Sequence, residues 1–146
     1  MATTRSDPYF GYNFAVELDG ITSMGFKTCA GLDTSTTSTK YREGTDVSLA
    51  QRELPALLHH TAITLTRGIS ADRALFDWRN DIASGRPNRR DISIVLRDDL
   101  GVERVRWTVK NAWPSKWSGP SFDATSDAIA IETLELTHEG VTVQKW

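Results

Sequence analysis

The stretch from Trp107 to Gly140 constrains the fold of this chain more than any other. It reads Trp107-Thr-Val-Lys-Asn-Ala-Trp-Pro-Ser-Lys-Trp117, then a Gly119-Pro120 loop, then Ala128-Ile-Ala-Ile-Glu-Thr-Leu-Glu-Leu-Thr-His-Glu-Gly140. Three of the five tryptophans lie in it, so a large apolar area has to become buried here. The pattern predicts a tryptophan-rich strand, a Pro-containing corner after it, and a long returning strand. Ile129 and Ile131 share one parity, while Leu134 and Leu136 share the other. A period of two cannot put all four on one face. Either the strand is covered on both faces, or a bulge near Glu132-Thr133 re-aims it. Both options place it centrally in an all-β body.

The rest of the chain supports that class. Residues 1–12 are polar with Tyr9, Phe10 and Tyr12 at their end, and read as a flexible N-terminal arm with an aromatic anchor. Phe14, Val16 and Leu18 alternate with Asn13, Glu17 and Asp19, and Asp19-Gly20 signals a turn. A weaker segment, Ile21 to Leu32, is punctuated by Gly25 and Gly31. Thr61 to Arg67 is strand-like, with Ile63 and Leu65 inward. Ala71, Leu75, Trp78 and Ile82 then fall on one face of a helix over 71–84. Ser70 is its expected N-cap, Asp72 suits its N-terminal end, Gly85 fits the position after it and Pro87 bars continuation. A hairpin follows, with Ile92, Ile94 and Leu96 facing Val105, Trp107 and Val109 across the Asp98-Gly101 turn. Residues 141–146 read as a short tail. The sum is six or seven antiparallel strands plus one helix, hence a barrel or sandwich with the helix plugging or flanking it, in one domain over 1–146.

Composition excludes several functions. A 146-residue chain with 39% hydrophobic and 25% charged residues can bury a core without disulfides. Its net charge of −2 and pI of about 5.9 give no footprint for sequence-specific nucleic-acid binding. Cys29 is the single cysteine, so neither an intramolecular disulfide nor a cysteine-based zinc site is expected. No apolar run suits a signal peptide or a membrane helix, so cytosolic synthesis and no direct membrane insertion are expected. His59-His60 and His138-Glu139 lack metal-ligand spacing, and adjacent residues of a strand point opposite ways. Asp98-Asp99 is explained by turn chemistry. Arg86, Arg89 and Arg90 read as a solvated or intersubunit charge patch, and Cys29 as a buried structural thiol. No nucleophile elbow or phosphate loop is present. No catalytic, cofactor-binding or metal residue is therefore assigned.

Two segments make no sense in a lone molecule. Asp33-Thr-Ser-Thr-Thr-Ser-Thr39 favours a strand, yet neither parity has an apolar member. It is either a disordered linker or a backbone-paired strand lining a wet surface. Residues 45–60 read as a long connection, and Leu54, Leu57 and Leu58 within it argue for a partner surface rather than disorder. Such features are liabilities in a monomer and become useful when copies close into a ring. A small-ligand-binding β-barrel, with tryptophan and threonine lining its cavity, is the alternative from a different class.

With these residues in view the sequence resembles the inner tube proteins of contractile phage tails and of extracellular contractile injection systems. The resemblance rests on Phe14-Ala-Val-Glu-Leu-Asp-Gly20, Gly25-Phe26, Cys29-Ala-Gly-Leu32, Tyr41-Arg-Glu-Gly44, Leu54-Pro55 and Ile63-Thr-Leu-Thr-Arg-Gly68. It continues through Leu75, Trp78, Arg90-Asp-Ile-Ser-Ile94, Trp107, Asn111-Ala-Trp-Pro114, Lys116-Trp117 and Ala130 to Gly140. It implies a mainly β fold of two packed antiparallel sheets, barrel-like, with one flanking helix. It also implies homo-hexameric rings stacked into a hollow tube, inside a sheath, with baseplate or initiator and cap proteins at the ends and cargo in the lumen. The particle would be a phage tail or tail-like injector, and the ring-forming tube protein of type VI secretion is the related alternative. On this reading Asp33, Ser35, Thr37 and Thr39 line the lumen. The 45–60 loop reaches the adjacent ring through Leu54, Leu57 and Leu58, its base fixed by Tyr41, Arg42 and Glu43. The helix, with Asp72 and Arg79, faces the sheath. Departures are local: the family often has acidic residues where Ser35, Thr37 and Thr39 stand, and a second glycine where Thr45 stands, so lumen charge does not carry over.

Overall fold

The computed structural model describes residues 5–18 and 21–146; the expected turn at Asp19-Gly20 and the first four residues of the N-terminal arm lie outside them. Among the described residues there are ten strands and one helix, more strands than the periodicity predicts. They are β1 (Phe14–Leu18), β2 (Ile21–Met24), β3 (Thr28–Ala30), β4 (Thr34–Tyr41), β5 (Arg52–His60), β6 (Ile63–Gly68), α1 (Ala74–Ala83), β7 (Arg90–Arg97), β8 (Glu103–Ser118), β9 (Ile131–Thr137) and β10 (Gly140–Lys145). The weak Ile21–Leu32 segment thus supplies two short strands.

The body is organised by β8. Its first half pairs antiparallel with β7 on one side and β10 on the other, and its second half pairs with β9. The order β2-β1-β7-β8 continues through β9-β6-β3, so one long strand belongs to two packed antiparallel sheets. The change of sheet occurs at Asn111, whose φ is 51°. Before it Val105 and Val109 are buried; after it Ala112 and Pro114 are, so the inward parity flips there. The Pro-containing corner expected after the tryptophan-rich strand follows Ser118, where β8 ends. Pro114 sits within the strand opposite Leu136, beside a register shift, where its missing N–H is tolerated.

The residues after Thr137 are not a tail. β10 continues along β8, with Gly140 opposite Lys110 and Val143 opposite Trp107. The parity problem of the returning stretch resolves by neither expected route. Ile129 precedes the strand and is 78% exposed, while Leu134 and Leu136 are fully buried. Glu132 shares their inward parity and is buried too.

One core joins both sheets and the helix. Val16, Leu18, Ile92, Ile94 and Val109 meet Ile63, Leu65, Leu134 and Leu136 across the sandwich, and Leu75 and Trp78 of α1 close it. The helix flanks the sheets rather than plugging a barrel. It begins three residues later than the capping signal predicts: Ser70 accepts from the Asp72 N–H (3.3 Å), and Asp72 accepts from the Ala74 N–H (3.0 Å). Its end is as expected. Gly85 takes φ +83°, the Arg86 N–H reaches the Asp81 carbonyl (3.0 Å) and the Gly85 N–H the Ile82 carbonyl (3.1 Å).

Candidate functional site

The unusual part of the molecule is a β4–β5 ribbon that pairs only with itself. Residues 34–39 are thus strand and not linker. The expected 45–60 connection is corrected: residues 52–60 are strand β5, and only the intervening tip is loop. The leucines and Pro55 masked the strand, because Pro breaks the usual pattern. Pro55 stands beside a bulge, where Thr36 pairs with Leu58 and Ser38 with Pro55, so two residues of β5 oppose Thr37 alone. The Leu57 N–H donates to Thr37 Oγ1 (3.0 Å), and that hydroxyl donates to the Leu57 carbonyl (3.3 Å). Thr37 therefore spends its hydroxyl on the backbone rather than on water.

Cross-strand partners share a face. Ser35, Thr39 and Tyr41 stand with His59, Leu54 and Arg52; Thr36, Ser38 and Lys40 stand with Leu58, Pro55 and Glu53. Each face carries both hydroxyls and a leucine, where the sequence reading expects a wholly polar lining from Asp33, Ser35, Thr37 and Thr39. Asp33 precedes β4, and its carbonyl accepts the Thr61 N–H (3.2 Å). All eight residues of β4 are exposed, and so are Leu54, Leu57 and Leu58 at 44%, 71% and 60%. Eight residues of strand extend about 26 Å. A two-stranded ribbon of this kind is marginal by itself in water.

The tip is tied by a few polar contacts. Arg42 donates to the carbonyls of Asp46 and Ser48 (both 3.0 Å), and the Asp46 carboxylate accepts from the Glu43 N–H (3.0 Å) and from Arg52 (2.7 Å). Tyr41 donates to Glu43 at 3.5 Å. Val47 and Leu49 project from this loop, fully and 88% exposed. At the base, Gly31 has φ +104°, and a Cβ there would run into the Ala62 carbonyl. His138 pins the same junction. Its Nδ1 accepts the Gly140 N–H (3.2 Å), so its Nε2 donates to the Thr61 carbonyl (2.8 Å).

On the opposite flank, Asp72 and Arg79 are not equivalent. Asp72 is exposed and bridges to Arg67 (3.2 Å); its carboxyl is held below the usual range first by the Ala74 N–H and then by Arg67. Arg79 is half-buried. Arg67 and Glu132, both buried, form an ion pair beneath the start of α1, and the Trp117 indole N–H donates to Glu132 (3.1 Å). Sequence reasoning missed this pair. Its signal was an Arg on the parity of Ile63 and Leu65 and a Glu on that of Leu134 and Leu136, which the register places directly opposite. The Cys29 thiol is half-buried on β3, and burial pushes it up to about 11. Among the described residues no three His, Cys, Asp or Glu side chains are grouped to hold a metal, and no helix is long and apolar enough to cross a membrane.

The profile of the T4-like virus tail tube protein gp19 matches residues 11–142. The chain belongs to the tail tube protein family. Chains from solved contractile injection structures match it over most of their length. A chain in the structure of the anti-feeding prophage tube-terminating cap is 32% identical with a TM-score of 0.89, the match covering 100% of this chain and 97% of that one. A chain of the PVC sheath–tube complex in the extended state is 34% identical with a TM-score of 0.85, covering 95% and 93%. Hcp1 from Flavobacterium johnsoniae, at 14% identity and a TM-score of 0.57 over 92% and 97%, shares the fold. No curated protein sequence matches the chain. This tail tube protein is thus a component of a phage tail or tail-like particle, and its family is structural.

Proposed function

We propose that this tail tube protein is a purely structural subunit, without catalysis, made in the cytoplasm, whose copies form six-membered rings that stack into a hollow cargo-conducting tube within a sheath. The observation that carries the reading is the β4–β5 ribbon: a finished core bears a projecting hairpin with leucines on both faces and nothing of its own to bury them. Leucines on both faces have to be buried by other subunits. Its reach of about 26 Å suits contact with an adjacent ring, with Leu54, Leu57 and Leu58 becoming buried and Tyr41, Arg42 and Glu43 holding the tip. Asp33, Ser35 and Thr39 offer passing cargo short polar groups and no apolar grip; Thr37 adds backbone bracing at the bulge. On the flank, Asp72 and Arg79 of the helix region face the sheath, and baseplate and cap proteins engage the two ends. The neighbours that support this are a sheath–tube complex and a tube-terminating cap.

Leu57→Asp places a charge where burial is required. Negative-stain micrographs are expected to show tubes shortened to isolated rings or absent, with the subunit still folded. Tubes of wild-type length would remove the ring-bridging role of the ribbon. Thr37→Trp is expected to alter lumen density in a reconstruction, and an unchanged bore would remove the lumen assignment.

A further inference from the structure

Two histidines meet where the ribbon joins the body. His60 ends β5, His138 follows β9, and their ring centroids lie 5.4 Å apart. His138 accepts the Gly140 N–H at Nδ1 and donates from Nε2 to the carbonyl of Thr61, the first residue after the ribbon. Only the neutral ring can do both. The imidazolium carries a proton on each nitrogen and would set one of them against the Gly140 N–H. His60 packs against the same turn, its Nε2 3.8 Å from the place a Cβ would take on Gly140. Its Nδ1 is buried without a hydrogen-bond partner, so a proton there would find no acceptor. Each ring is thus placed for its neutral form, and two cations at this separation would repel.

No carboxylate offsets this. Among the described residues neither imidazole has an Asp or Glu oxygen within 4.0 Å. Of the charged side chains on the surrounding elements, Glu139 is taken by Asn111 (2.7 Å) and Arg89 (3.9 Å), and Glu135 of β9 stands opposite Lys116. Lys110 of β8 lies opposite Gly140, and Asp33 meets Thr61 through its backbone carbonyl. His59 pairs with Ser35, on the other face of the ribbon from His60. We propose that His60 and His138 form an acid-sensitive latch that fixes the root of the β4–β5 ribbon to the body and releases it when the imidazoles take up protons. The latched form binds fewer protons here than the opened one. Latching is therefore favoured above the imidazole range and is lost as pH falls through it. The latch belongs to the single subunit and operates whether or not copies assemble.

Amide exchange read by NMR on dispersed subunits tests it. Between about pH 7.5 and about pH 5, after correction for the intrinsic pH dependence of exchange, the Gly140 and Thr61 amides are expected to lose protection by at least about tenfold. The amides of the β7–β8 ladder should keep theirs over the same range. His138→Gln retains a side-chain donor but takes up no proton, and should make the protection of Gly140 independent of pH. His60→Gln should leave a smaller loss, and His59→Gln the full one. Equal protection of Gly140 in the wild type at both pH values overturns the latch, and this measurement needs no variant to fold. An undiminished loss in His138→Gln, or a β7–β8 ladder that opens together with Gly140, overturns it too.

Discussion

Replacing Glu132 by Leu tests the least expected stabilising feature of the fold. Arg67 and Glu132 are 6% and 5% exposed and sit in register on β6 and β9. The substitution removes the carboxylate opposite the buried guanidinium, while Asp72, at 3.2 Å, is on a half-exposed side chain. It also strips the Trp117 indole N–H of its acceptor. Breaking a buried pair from one side costs about 3–5 kcal/mol, because the surviving charge keeps its desolvation penalty. At roughly 3 °C per kcal/mol for a domain of this size, Tm should fall by about 10 °C. Removing both charges, as Arg67→Met with Glu132→Leu, should recover most of the loss, since an apolar pair of similar volume needs no solvation. Thermal and urea unfolding of dispersed subunits, followed by circular dichroism, reads both effects. A single variant within about 1 kcal/mol of the wild type, or a double variant no better than the single, refutes the reasoning.

Other perturbations have defined outcomes. Gly31→Ala forces a Cβ into the Ala62 carbonyl at a positive φ, and should cost more than about 2 kcal/mol in urea unfolding; a change below half of that would show that the ribbon's base can shift. The Asp98 carboxyl is held below its usual range, first by the Val102 N–H and then by Arg104 and the Leu100 N–H. Its folded pKa is depressed, so its contribution is fully present above the unfolded Asp value of about 3.9 and is lost as pH falls through the lower folded value. Asp98→Asn should therefore lower the urea midpoint near neutral pH, and the gap should narrow as pH falls below the ordinary carboxylate range; a gap that stays constant on acidification contradicts the assignment.

Much of the fold was legible because it follows strict periodicity. Val16-Leu18, Ile63-Leu65, Ile92-Ile94 and Leu75-Trp78 are buried as their spacing predicts, and Phe14 partly so. What escaped were places where a local rule was broken for a tertiary reason. Asn111 flips the inward parity inside one strand, so the alternation read through Val109 does not continue to Trp117. Glu132 occupies an inward position as a charge, so the two isoleucines before it were given more weight than they carry. β5 holds a proline and three exposed leucines, so its strand character was hidden in what read as a connection. β10 has little inward signal, because only Val141 packs on the core.

The central claim is that the β4–β5 ribbon is incomplete until other copies cover it. Amide hydrogen exchange over residues 34–60, compared between dispersed subunits and tubes, measures this directly. The account predicts fast exchange across the ribbon in single subunits, slow exchange in β7 to β9 of the same molecules, and strong protection of the ribbon once tubes form. A ribbon already protected like the body in the dispersed subunit, or one that still exchanges freely in intact tubes, would contradict it.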